Sequence, residues 1–157
     1  MLPELIVFDL DFTVWDCGGT WCDCLNPPFS RRNGGVMDSL ERQVTLYQDV
    51  PEILDYLESL KIPMALASRT EQPKWARELL DLLELRERFL YEEIFPGSKV
   101  RHFNNLSRNS GLALEAMLFF DDEPRNLRDL EPMGVCCQLV SDGLNRTVFE
   151  QALARFA

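Results

Sequence analysis

The sequence contains a single histidine, His102, in 157 residues. That scarcity leaves most serine–histidine nucleophile schemes without their base. It also leaves no histidine cluster for zinc. Basic residues are scarce too. Lysine and arginine total 16 against 26 aspartates and glutamates, a formal net charge of -10. Such a surface repels nucleic acid and anionic lipid, so neither is expected as a partner. No apolar run approaches the roughly 20 residues of a membrane span. The start, "MLPELIVFDLD", lacks the positive segment and small-residue cleavage site of a secretion signal. Repeats, low-complexity segments and interdomain linkers are also missing.

Five cysteines make an odd count. Without a secretion signal they read as reduced thiols of a cytoplasmic protein. Cys17, Cys22 and Cys24 fall in "CGGTWCDC". Their Cys-x-Cys spacing has no second pair downstream, so loop cysteines are expected there rather than zinc ligands. Cys136 and Cys137 lie in "VCCQLV" and are expected in a buried strand.

What is present is an alternation of strand and helix signals. "LIVF", Leu5 to Phe8, reads as a short apolar strand ending at Asp9. "PMALAS", "YEEIF", "AMLFF" and "VCCQLV" read as further strands. Between and after them lie helical patterns. "DVPEILDYLESLK" has Asp49 as a possible cap, Pro51 in the first turn and a stripe of Ile53, Leu54, Leu57 and Leu60. "QPKWARELLDLLEL", "VRHFNNLSRNSG", "EPRNLRDLEPMG" and "LNRTVFEQALARF" follow, with Gly111 and Gly134 as stops. Near-continuous apolar strands separated by helices imply a mainly parallel sheet covered on both faces. The expected fold is α/β: a three-layer, Rossmann-like single domain over residues 1–157, and a monomer. The Gly-, Pro- and Asn-rich stretch at about 16–44 is expected to be a loop or small hairpin, a short cap insertion after the first strand.

The chemistry-bearing residues collect at strand ends. The first strand runs into Asp9 and Asp11. The second ends in Ser68, Arg69 and Thr70, the third leads to Lys99, and the fourth runs into Asp121 and Asp122. Parallel strands put all four groups at one edge of the sheet. Side chains two apart in a strand share a face, so Asp9 and Asp11 are expected to crowd two charges together. Each signal alone has a plain structural explanation. An Asp-x-Asp can close a strand-end turn, "FFDDEP" can cap a helix, Ser68 can do the same, and a lone lysine can be solvated. Their joint placement after four apolar strands is harder to explain that way. His102, at a helix start beyond Lys99, reads as structural.

Four carboxylates in one crevice need cations. Lys99 supplies one positive charge, Arg69 offers another, and a hard divalent ion suits the remainder. Carboxylates without clustered His or Cys favour Mg2+. A carboxylate can attack phosphorus and form an aspartyl-phosphate. A neighbour must then protonate the leaving oxygen and later take a proton from water. Asp9 and Asp11 fit those two jobs.

"DLDFT", "ALASR", Lys99 in "PGSKV" and "LFFDD" resemble, in that order, the four motifs of the haloacid dehalogenase superfamily of phosphohydrolases. More narrowly, "FDLDFTVW", "ASRT", "PGSKVRHF" and "FFDDEPRN" resemble the magnesium-dependent phosphatase family. The resemblance implies Asp9 as nucleophile, and Asp11 as general acid/base offering its main-chain carbonyl to magnesium. It implies Thr13 shaping the loop, and Ser68, Arg69 and Lys99 on the substrate. It implies Asp122 as the direct metal ligand, with Asp121 orienting the site or binding through water. It also implies hydrolysis of phosphomonoesters, on a small molecule or on protein. Phosphotyrosine and phosphorylated sugar adducts are the carriers associated with that family. The alternatives are a related phosphotransferase and, in another class, a non-catalytic receiver-like module phosphorylated on aspartate. A receiver carries its acidic pair after the first strand and its lysine late. Here the Asp-x-Asp comes first and the acidic pair follows the lysine.

Overall fold

The computed structural model describes residues 1–157. The chain opens with β1 (Leu5–Phe8). The insertion after it holds β2 (Trp15–Cys17), β3 (Ser30–Arg32), β4 (Gly35–Met37) and β5 (Gln43–Leu46). Then come α1 (Val50–Ser59), β6 (Met64–Ser68), α2 (Pro73–Leu82), β7 (Tyr91–Ile94) and α3 (Lys99–Ser110). The chain finishes with β8 (Met117–Asp121), α4 (Pro124–Leu130), β9 (Cys136–Leu139) and α5 (Arg146–Phe156). The apolar strands and helices expected from the sequence are all there, with ends shifted by a few residues.

Five strands form one parallel sheet in the order β7-β6-β1-β8-β9. Val7 of β1 lies opposite Ala65 on one side and Phe119 on the other. The chain builds outward from β1 through β6 to β7, then returns across β1 to build β8 and β9. The direction of winding therefore reverses beside β1. That reversal opens a crevice at the carboxyl ends of the strands.

Alternation along the strands separates two apolar layers. Ile6, Phe8, Leu118 and Phe120 pack with residues of α1, α2 and α5. Leu5, Val7, Met117 and Phe119 pack with residues of α3 and α4. Phe8 stacks on Phe120, with ring centroids 5.6 Å apart. Each such buried side chain contributes roughly 1.5–3 kcal/mol against conformational entropy. The result is the expected three-layer arrangement. No helix is long and apolar enough to cross a membrane.

The insertion is more ordered than a hairpin. Its strands form an antiparallel sheet in the order β2-β5-β4-β3. Its apolar side chains, Trp15, Cys17, Val36 and Val44, join the main core. Strands of three or four residues between Gly and Pro turns are too short for alternation to be read. All five cysteines are free. Cys137 is buried, but Cys136 is only half-buried. Asp49 does not cap α1 with its side chain. Its carboxylate instead accepts the Arg146 N–H at the start of α5, at 3.0 Å. Asn145 accepts the Val148 N–H there, also at 3.0 Å. One helix start thus has two of its orphan donors satisfied from two elements.

Candidate active site

A cleft of about 310 Å³ opens at the carboxyl ends of β1, β6 and β8. Its lining includes Asp9, Asp11, Ser68, Arg69, Lys99, Asp121 and Asp122, the catalytic, substrate and metal candidates of the sequence, while Thr13 lies outside it. Larger hollows of about 440 and 720 Å³ lie between α1 and α5 and beside the insertion. Neither gathers a comparable set of carboxylates around a buried cation, so the chemistry belongs to the smaller cleft.

Lys99 is the centre of the constellation. Ser98 caps α3 by accepting the Val100 N–H at 3.1 Å, which places Lys99 in the first turn. The ammonium is 1% exposed. It bonds Asp9 Oδ1 at 3.0 Å and Asp121 Oδ2 at 3.1 Å. It also donates to the Ala67 carbonyl at the end of β6. Burial opposes its charge, but Asp9 and Asp121 outweigh burial and hold Lys99 above the ordinary lysine range. The ring of Phe119 lies beneath, 5.0 Å from Nζ.

Asp9 follows β1 directly, and its N–H still pairs with the Phe120 carbonyl of β8 at 3.0 Å. Its second oxygen accepts the Thr13 hydroxyl at 3.2 Å. Burial and then Asp121 push Asp9 well up, while Lys99 pulls it down. Asp121 is fully buried and takes three protein donors. It accepts from the Glu123 N–H at 2.9 Å, from Asn126 Nδ2 at 2.8 Å, and from Lys99. Asp122 is half-buried and faces the cleft. Burial pushes it up to about 6. Asp9, Asp121 and Asp122 bring carboxylate oxygens within 4.8 Å of one another. Three oxygens so placed are the donor set of a hard divalent cation.

Asp11 stands apart from that cluster. The expected crowding on one strand face is not what the chain does. β1 stops at Phe8, and residues 9–14 form a loop. There the Leu10 carbonyl accepts from the N–H groups of Thr13, Val14 and Trp15. Phe12, the residue after Asp11, takes φ 62°, the left-handed region, and its N–H bonds the Trp15 carbonyl at 2.8 Å, so the chain turns back just past the second acid and brings Trp15 beside Asp11. Asp11 Oδ1 is then held from the insertion side. It accepts Trp15 Nε1 at 2.8 Å and the Cys22 N–H at 3.0 Å, with the Cys17 thiol at 3.7 Å. Burial raises Asp11, and the bonds from Trp15 and Cys22 bring it partly back. One oxygen is thereby fixed and the other is left for a proton. Only the main-chain carbonyl of Asp11, not its carboxylate, remains as its expected route to a metal.

Ser68 ends β6, and its hydroxyl oxygen accepts the Thr70 N–H at 3.3 Å. Its proton stays available to the cleft. Arg69 donates to Asn126 Oδ1 at 2.9 Å, leaving its other guanidinium donors free to turn inward. Asn126 is a residue that sequence reasoning missed. It links Arg69 to Asp121, and the only signal for it is its place one helical turn after the acidic pair. Trp15 and Cys22, which hold Asp11, were missed as well, and Thr70 was named only as part of a polar strand end. Their roles depend on the fold of the insertion. His102 lies outside the cleft lining, as expected for a structural residue. Its ring nitrogens sit 2.9 Å from the carbonyls of Ser98, Ser68 and Phe95, and its ring stacks on Phe95.

A switch-point crevice with this order of motifs is the arrangement of haloacid dehalogenase superfamily hydrolases. One of them, from Ehrlichia chaffeensis, superposes with a TM-score of 0.68 at 14% identity, covering 99% of this chain and 96% of its own. The acid phosphatase family matches residues 1–157 throughout. Human magnesium-dependent phosphatase 1 is 43% identical over 158 residues, covering 99% of this chain and 88% of the human protein. A HAD-like hydrolase superfamily protein of Schizosaccharomyces pombe is 37% identical over 85% of this chain and 83% of its own length. The chain belongs to the acid phosphatase family, within the haloacid dehalogenase superfamily.

Proposed function

We propose that the protein is a magnesium-dependent phosphatase that hydrolyses phosphomonoesters through an aspartyl-phosphate on Asp9. The observation that carries this reading is the buried Lys99 shared between Asp9 and Asp121, with Asp122 completing a three-carboxylate cluster. Asp122, which faces the cleft, and Asp9 would hold the ion, and Asp121, with three protein donors, would orient the site beside them. The main-chain carbonyl of Asp11 would add a further oxygen. When bound, magnesium supplies positive charge for the phosphoryl oxygens and opposes the repulsion among the acids.

The remaining steps belong to side chains. Lys99 opposes the upward push of burial and Asp121 on Asp9 and neutralises charge on the transferring group. Ser68 and Arg69 donate to phosphoryl oxygens and orient the ester for in-line attack. An Asp9 carboxylate oxygen forms the new bond to phosphorus as the ester oxygen departs. Asp11, protonated at its free oxygen, gives its proton to that leaving oxygen. The same carboxylate then takes a proton from water as water attacks phosphorus and releases Asp9. The fixed and free oxygens of Asp11 suit that exchange, and its burial favours the protonated form.

The cleft opens between the insertion and the sheet, with no helical bundle over it. That openness suits a phosphate on a bulky carrier, such as phosphotyrosine in protein or a phosphorylated sugar adduct. The test is turnover of an aryl phosphate with and without magnesium. Asp9→Asn is expected to abolish turnover. Asp11→Asn is expected to slow it by about 100-fold or more, most for poor leaving groups. Turnover that survives in Asp9→Asn, or that ignores a chelator, sinks the mechanism.

A further inference from the structure

Fifteen residues line the cleft, and Trp21 is the single large apolar side chain among them. It is 51% exposed. An exposed apolar residue is ordinary in itself. A tryptophan fixed at the mouth of a charged cleft is not explained by packing alone.

Trp21 is fixed from several sides. It precedes the short turn Cys22–Cys24, and its carbonyl accepts the Cys24 N–H at 2.9 Å. The next residue, Cys22, gives its N–H to Asp11 and its thiol to Thr70 at 3.4 Å. Asp23 accepts the Glu71 N–H at 3.3 Å, which ties the turn to the loop after β6. The indole meets Phe12 edge to face, with centroids 5.9 Å apart and planes at 86°. Phe12 is placed by the left-handed turn directly after Asp11, which brings Trp15 back to that carboxylate. Trp21 is therefore attached, through one peptide unit, to the group that holds the proton donor.

We propose that Trp21, backed by Phe12, is the leaving-group subsite: it contacts the planar or apolar body of the alcohol whose oxygen Asp11 protonates. The inference rests on the phosphatase reading above and specifies its substrate side. In-line attack by Asp9 sends the leaving oxygen away from Asp9, and Asp11 must reach that oxygen. The body attached to the oxygen then extends toward the insertion, where Trp21 is the surface it meets. An aromatic face there favours planar leaving groups by stacking. A small alkyl group gains little from it. Trp21 thus sets which esters react well, without taking part in bond making.

The experiment compares phenyl phosphate with methyl phosphate as substrates, and phenylphosphonate with methylphosphonate as ligands that cannot be hydrolysed. Each is measured with magnesium on wild type, Trp21→Ala and Trp21→Phe. For Trp21→Ala, kcat/KM for phenyl phosphate is expected to fall about tenfold, with methyl phosphate changing less than twofold. Phenylphosphonate affinity should fall in parallel, and Trp21→Phe should restore most of the preference. Equal losses on both substrates, or an unchanged preference for phenylphosphonate in Trp21→Ala, overturn the proposal. Calorimetric binding separates the two readings. An enzyme that proves inactive, yet prefers phenylphosphonate through Trp21, supports the subsite and overturns only the activity.

Discussion

Lys99 spends its ammonium protons inside the protein, on Asp9, Asp121 and the Ala67 carbonyl. Its removal differs from the loss of a surface charge. Lys99→Met keeps a similar length of chain but leaves two buried carboxylates without their cation. Breaking a buried pair in that way costs about 3–5 kcal/mol. Urea denaturation of Lys99→Met should show a loss of that order, together with loss of turnover. A variant as stable as wild type would mean that the pair is solvated in solution. The four motif groups were legible because three close an apolar strand and Lys99 follows a strand within a few residues, and parallel strands bring such ends together. The separate handling of Asp9 and Asp11 was not. It depends on donors to Asp11 from Trp15, returned by the left-handed turn at Phe12, and from Cys22, and no spacing rule connects either to Asp11.

At the scale of elements, the junction between β5 and α1 meets the loop between β9 and α5. Tyr47 lies against Gly143, which has φ 76°. A Cβ on Gly143 would fall 2.2 Å from the Tyr47 ring, and an L side chain there is strained as well. At Gly134, with φ 105°, the added Cβ would meet the flexible end of Glu115 at 2.7 Å. A ring wedged between two elements yields less readily than the tip of a glutamate. Gly143→Ala should therefore lower the denaturation midpoint more than Gly134→Ala, and equal losses would show that the ring swings away freely. Tyr47 also reports on pH. Burial first, then Asp16 and Asp122, push its phenol from 10.0 up to about 12. The folded state favours the neutral phenol. The unfolded chain therefore releases this proton first as pH rises. The contribution is complete below pH 10 and is lost as pH rises through about 12. Stability of wild type relative to Tyr47→Phe should fall across that window, measured by denaturation at a series of pH values. A constant difference would place the hydroxyl in water.

For the whole molecule, the question is whether the insertion folds with the sheet or on its own. The sequence marked it as a separate, loosely structured stretch, because glycine and proline pairs hid its short strands. What the sequence could not display is which core those strands use. Trp15, Cys17, Leu25, Val36 and Val44 are buried in the same apolar cluster as Ile6, Phe8, Leu54 and Leu80. A four-stranded sheet of this size has too little apolar area to be stable alone. It also supplies the donors that fix Asp11, so a loose insertion would leave the proton donor unfixed. One cooperative transition is therefore expected for the whole chain. Leu25→Ala in the insertion and Leu54→Ala in α1 should each cost about 2–5 kcal/mol. Both should shift the same transition, followed by far-ultraviolet circular dichroism and by tryptophan fluorescence. If Leu25→Ala instead split the fluorescence change from the loss of helix, the insertion would be an independent unit, and Asp11 could be released without unfolding the sheet.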